Sequence, residues 1–102
     1  MNKYTISIGL NDKDTKKQII KTDDAFQIVA KKTMAIFDGA TISAARGIYK
    51  HESGALVYEN TIIVSLITEN AAGVADLISY VKKALNQESV MLETQSVNIS
   101  FI

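Results

Sequence analysis

Few side chains in this sequence carry reactive chemistry, and four of them stand almost together. Arg46 is the only arginine and His51 the only histidine, with Tyr49 and Lys50 between them. A guanidinium grips carboxylate or phosphate through paired hydrogen bonds. An aromatic plane beside cations offers a surface on which a base can stack. Arg46, Tyr49, Lys50 and His51 are therefore the candidate ligand-binding residues, and the ligand they suggest is a small anion of nucleotide type. Two of them also have a plainer role. Arg46 can pair with Glu59 or Glu93, and His51 can be a solvated residue at a hairpin tip.

The sequence assigns no catalytic residue, metal ligand or cofactor. Without cysteine there is no disulfide and no zinc–thiolate site. One histidine cannot build an imidazole-based zinc site. The acidic residues are dispersed, and Asp23-Asp24 suits a helix start. No serine has a nucleophile-elbow context, and the glycines form neither a P-loop nor a dinucleotide fingerprint.

The elements that must position these residues are legible from periodicity. Tyr4, Ile6, Ile8 and Leu10 alternate with polar or small residues, as in a strand with one buried face. Asn11 to Lys21 is a polar loop. Thr22-Asp23-Asp24 opens a helix, with Asp24 and Gln27 spaced as a capping box. Phe26, Val29, Ala30, Thr33 and Phe37 form its apolar stripe, and Gly39 is placed for a left-handed C-terminal cap. A strand follows over Ala40 to Lys50, in which Gly47 is a candidate bulge. Glu52-Ser53-Gly54-Ala55 is a turn, and Leu56 to Thr68 is the third strand. Asn70 caps a second helix carrying Val74, Leu77, Ile78, Val81 and Leu85. A last strand is expected from Val90 to Phe101, changing parity across Thr94-Gln95-Ser96.

Two β–α–β units around a hairpin predict an α+β, ferredoxin-like βαββαβ sandwich over residues 1–102 as one domain, with a four-stranded antiparallel sheet and both helices on one face. The other face then needs an account. It carries Thr41, Ser43 and Ala45 from the second strand and Ile63 and Ile67 from the third, a set of small residues with a few aliphatics. Small side chains let another backbone or a flat ligand approach closely. These five are the expected interface of a homodimer or higher homo-oligomer.

Charge and hydropathy exclude several classes. Eleven basic and eleven acidic residues cancel, which argues against a binder of duplex nucleic acid. The halves differ: residues 1–51 hold nine basic and five acidic side chains, residues 52–102 two and six. Such a dipolar surface favours self-association or draws an anion to one side. No apolar run reaches the roughly 20 residues of a membrane span. No signal peptide is evident, so a cytoplasmic location is expected.

Gly9-Leu10 at the end of the first strand, Asp38-Gly39-Ala40-Thr41-Ile42 leading through Gly47, Asn86-Gln87-Glu88-Ser89-Val90 and Ser96-Val97-Asn98-Ile99-Ser100-Phe101 form a pattern. It resembles a family of small bacterial and phage proteins known as a domain of unknown function, across roughly residues 4–101. The short first loop and the sparse aromatics of the second strand depart from it. The resemblance implies a ferredoxin-like fold and no established activity. By analogy, some small phage proteins sequester host nucleotide signals in an anti-defence role. The expected function is therefore a non-enzymatic oligomeric binding module. Its alternatives are a protein-interaction or inhibitor domain and a small dimeric ferredoxin-like enzyme.

Overall fold

Alternation along Asn2–Gly9 (β1) places Tyr4, Ile6 and Ile8 on one face, opposite Leu66, Val64 and Ile62 of Leu56–Thr68 (β3). All six are buried. They form the floor of the core in a computed structural model that describes residues 1–102. Two helices make its roof: Thr22–Ile36 (α1), with Ala25, Val29 and Thr33 turned inward, and Ala71–Ala84 (α2), with Val74, Leu77 and Val81. Burying each large aliphatic contributes about 1.5–3 kcal/mol. Thr33 enters this apolar layer because its hydroxyl donates to the Val29 carbonyl at 2.7 Å.

Thr41–Lys50 (β2) and Met91–Ser96 (β4) complete the sheet, whose order is β2-β3-β1-β4 with every neighbour antiparallel. This is the ferredoxin-like βαββαβ arrangement that the periodicity predicts.

Four local expectations are corrected. The α1 capping box does not form. Lys21 occupies the N-cap with no side-chain bond, and the Thr22 hydroxyl instead accepts from Gln18 Nε2 at 3.0 Å. Asp23 and Asp24 still lie in the first turn, where the helix dipole favours carboxylates. Gly39 is not a left-handed cap. Phe37 must turn into the core, so the chain leaves the helix there in an extended conformation (φ −122°), and the one glycine with positive φ is Gly54 in the hairpin turn. Gly47 is not a bulge, since the β2–β3 register is unbroken from Thr41↔Ser65 to Lys50↔Leu56. The last strand stops at Ser96, opposite Asn2, because β1 has nothing further to pair with. Beyond it one bond remains, from Val97 N–H to the Met1 carbonyl at 3.0 Å.

The β2–β3 hairpin outruns the rest of the sheet. β1 ends at Gly9, opposite Thr61, and from Arg46↔Asn60 onward the hairpin is a two-stranded arm. Ile48, Leu56 and Tyr58 continue the core parity there but are more than half exposed, since no helix reaches them. The arm draws the molecule out to 47 × 25 × 23 Å, with a radius of gyration of 14.4 Å, against about 13 Å for a compact chain of this length.

Candidate functional site

The strand register sorts the sequence-derived residues onto opposite faces. Tyr49 and His51 follow the parity of the open sheet face, while Arg46 and Lys50 follow the helix side. They do not converge on one point. Arg46 reaches neither Glu59 nor Glu93. Its guanidinium lies 5.1 Å from the centroid of the Tyr58 ring, a cation–π contact. The sole ion pair joins the N-terminal amine to Glu69 at 3.5 Å. His51 shapes the hairpin turn: Ser53 N–H donates to its Nδ1 at 3.2 Å, which makes Nδ1 an acceptor. Lys50 is exposed opposite Leu56. Thr41, Ser43, Ala45, Ile63 and Ile67 share the open face, with Ile67 42% exposed.

That face has a polar hollow at the end where β1 gives way to the first loop. Glu59 stands at its centre. Its cross-strand partner on β2 is Gly47, and on β1 its diagonal neighbour is Gly9. The bare backbone of Gly9 lets the carboxylate lie flat: a Cβ on Gly9 would come within 2.5 Å of Glu59 Cδ. Asn11 N–H donates to Glu59 Oε2 at 2.9 Å. No protein donor bonds Oε1, which is open to solvent. Tyr49 rises two residues beyond Gly47 on the same face.

The hollow has a volume of about 320 Å³, inside the ~300–1,000 Å³ range of small-molecule sites. Lys13 and Lys16 flank it on the first loop, and Glu88 and Ser89 on the approach to β4. It therefore offers both signs of charge. Sequence reasoning named Tyr49 but missed Glu59, Gly9 and Lys13. The signal was there: a glycine at the end of β1, on the same face as a lone carboxylate of β3.

The rim is held by a knot of hydrogen bonds between the first loop and the residues after α2. Asp12 Oδ2 accepts from the N–H groups of Asp14 and Thr15, both at 3.0 Å. Asn86 Nδ2 donates to Asp12 Oδ1 at 2.8 Å, and Lys13 N–H donates to the Asn86 carbonyl at 3.0 Å. Gln87 Nε2 donates to the Asn11 carbonyl at 2.9 Å. Asn86 takes a positive φ of 47° to do this, a conformation asparagine tolerates. The Asn86 amide, with the Thr15 and Asp14 N–H groups, holds the Asp12 carboxyl below its ordinary pKa.

A larger, apolar groove of about 520 Å³ lies on the opposite side of the sheet, between α2 and β4. Lysines are its only ionisable neighbours apart from Tyr4, whereas the Glu59 hollow is lined by both carboxylates and lysines. No group of acidic and histidine side chains here could hold a metal ion. No helix is long and apolar enough to cross a membrane.

Fold and site together define a small ferredoxin-like α+β protein with a mixed-charge pocket on its open sheet face. It belongs to the DUF3574 family of proteins of unknown function, whose model matches residues 3–101. A phage SAM lyase in its apo state is similar at 28% identity and a TM-score of 0.67, over 92% of this chain and 78% of that one. A variant of CutA1 from Pyrococcus horikoshii OT3 shares the fold at 14% identity (TM-score 0.62; 99% and 87% covered). CutA from Synechococcus elongatus PCC7942 does so at 10% (TM-score 0.57; 94% and 75%). No curated protein sequence matches the chain.

Proposed function

We propose that this chain binds S-adenosylmethionine (SAM), or a nucleoside sulfonium of the same shape, in the Glu59 hollow. The observation that carries the reading is the Glu59 carboxylate, fixed by Asn11 through one oxygen and open through the other. A sulfonium has a permanent positive charge and no proton to donate, so it is recognised by a fixed anion nearby rather than by hydrogen bonds. Tyr49 supplies a stacking plane for the adenine. Lys13 and Lys16 suit the ligand's carboxylate. The mixed charge of the hollow fits such a ligand better than the simple anion expected from Arg46, Lys50 and His51, of which Arg46 and Lys50 lie on the helix side of the arm and His51 on the opposite parity. The 28% likeness to a phage SAM lyase supports the same ligand class.

Titration calorimetry tests this with SAM and its uncharged thioether counterpart, S-adenosylhomocysteine. SAM should bind more tightly. Glu59→Gln, which keeps an acceptor for Asn11, should weaken SAM binding by about tenfold or more, about 1.4 kcal/mol, and leave the thioether unaffected. Absence of SAM binding by the wild-type protein removes the proposal.

A second reading is favoured by that same likeness: the bound sulfonium is cleaved, a carboxylate oxygen of the ligand bonding to its own γ-carbon as the C–S bond breaks with its electron pair passing to sulfur, which leaves a lactone and a neutral thioether. Chromatography of SAM incubated with the protein separates the two readings. Stoichiometric binding with SAM intact means sequestration, and loss of SAM beyond the protein's own concentration means turnover. Either act would withhold methyl groups from a host's modification enzymes, which fits a cytoplasmic anti-defence role. Self-association belongs to the proposal, with Thr41, Ser43, Ala45, Ile63 and Ile67 as one surface for it.

A further inference from the structure

We propose that Gln87 determines specificity for the amino-acid head of the ligand, its side-chain oxygen accepting from the α-ammonium. The inference rests on the sulfonium reading above and deepens it, because it concerns a group of the ligand that Glu59 does not serve.

The orientation of the Gln87 amide follows from its neighbours. Its Nε2 lies 2.9 Å from the Asn11 carbonyl oxygen and 3.1 Å from the Leu85 carbonyl oxygen. Only a donor can meet two carbonyl oxygens, and a primary amide has its donors on nitrogen alone. The flipped amide would set oxygen against oxygen at both places. The backbone is held as well, since Gln87 N–H donates to the Lys82 carbonyl at 2.8 Å. With Nε2 engaged on both carbonyls, Oε1 is turned away from them. No protein donor bonds it, and it is not sealed from solvent. Gln87 lines the hollow, so an oriented acceptor stands there unpaired.

The surroundings say which donor suits it. Lys13 N–H donates to the carbonyl of Asn86, the residue before Gln87. Gln87 therefore stands beside one of the lysines that suit the ligand's carboxylate. In an amino acid the carboxylate and the ammonium share one carbon. A carboxylate drawn to Lys13 brings the ammonium to the same end of the hollow. An ammonium has three N–H donors and a full charge, and hydrogen bonds from a charged donor are about twice as strong as neutral ones. Glu88, next along the chain, lines the hollow too and favours a cation there.

Gln87 has a second, indirect effect. It holds Asn11 by the carbonyl, and Asn11 N–H fixes Glu59. Loss of Gln87 would remove the ammonium contact and also loosen the carboxylate that faces the sulfonium.

Titration calorimetry separates the two effects, using SAM and its α-keto analogue, in which a keto oxygen replaces the ammonium. The wild type should prefer SAM about tenfold or more, about 1.4 kcal/mol. Gln87→Met, similar in length but without the amide, should bring the two affinities together. A role confined to holding Asn11 would weaken both ligands alike and leave their ratio unchanged. Gln87→Met should also weaken binding of S-adenosylhomocysteine, which keeps the ammonium, whereas Glu59→Gln spares it. Circular dichroism verifies that the variant folds. Equal wild-type affinities for SAM and the keto analogue overturn the inference without any variant, and so does a preference that Gln87→Met retains. Both results leave the sulfonium reading standing. A wild-type protein that binds no SAM overturns that reading and this inference with it.

Discussion

The carboxylate of Glu59 rests against the bare Cα of Gly9, closer than any side chain on Gly9 would allow. The atom in the way is the far end of a flexible side chain, so Gly9→Ala should leave the sheet intact and push the carboxylate out of place. The expected result is an unchanged or slightly raised melting temperature with SAM affinity reduced about tenfold or more, about 1.4 kcal/mol. Calorimetry beside a thermal melt reads both. A variant that binds normally would show that the placement of Glu59 is unimportant.

Asp12 makes the fold sensitive to acid. Its folded pKa lies below the ordinary 3.8, first through the Asn86 amide and then through the Thr15 backbone. A lowered carboxyl pKa contributes stability that is complete above the unfolded value and is lost as pH falls through the folded one. Urea midpoints should therefore drop as pH descends below 3.8. Asn86→Ala should flatten that part of the drop, and an unaltered pH profile in this variant would contradict the assignment.

Gly73 reverses a familiar rule. Alanine normally stabilises a helix interior by about 1 kcal/mol over glycine. Here a Cβ would meet Ile36 Cγ2 at 2.8 Å and Asn70 Nδ2 at 2.5 Å. The latter belongs to the cap, whose Oδ1 accepts from Gly73 N–H at 2.8 Å. Gly73→Ala should destabilise the protein, by about 1–3 kcal/mol for overpacking of this kind. Denaturant unfolding gives the sign directly.

Leu77 is fully buried at the centre of the helix layer. Leu77→Ala should lose about 2–5 kcal/mol through lost burial and the cavity left behind. Chemical denaturation should show a lower midpoint with the same slope.

What the sequence made legible follows from which forces act locally. Alternation in Tyr4–Leu10 and Ile62–Leu66 reports burial directly, and the register bears it out. Asn70 sits at its helix start as expected, because a cap needs only its own next turn. The misses are long-range. Nothing in Val97–Phe101 says that its partner strand ends at Asn2. Arg46 found an aromatic ring two residues along the facing strand rather than a carboxylate. The hollow eluded the reading because Gly9, Tyr49, Glu59 and Glu88 come from four separate stretches, and only the sheet order joins them.

The central placement of β1 has a consequence for how the chain comes into being. Asn2 pairs with Thr68 on one side and with Ser96 on the other. This strand is synthesised before both of its neighbours and gains the second only once the chain has been made as far as Ser96. Until then Ile6 and Ile8 stay exposed beside unpaired edges. Topologies so dominated by distant partners fold slowly. Translation speed and chaperone supply should therefore govern the yield of this small protein more than its length would suggest.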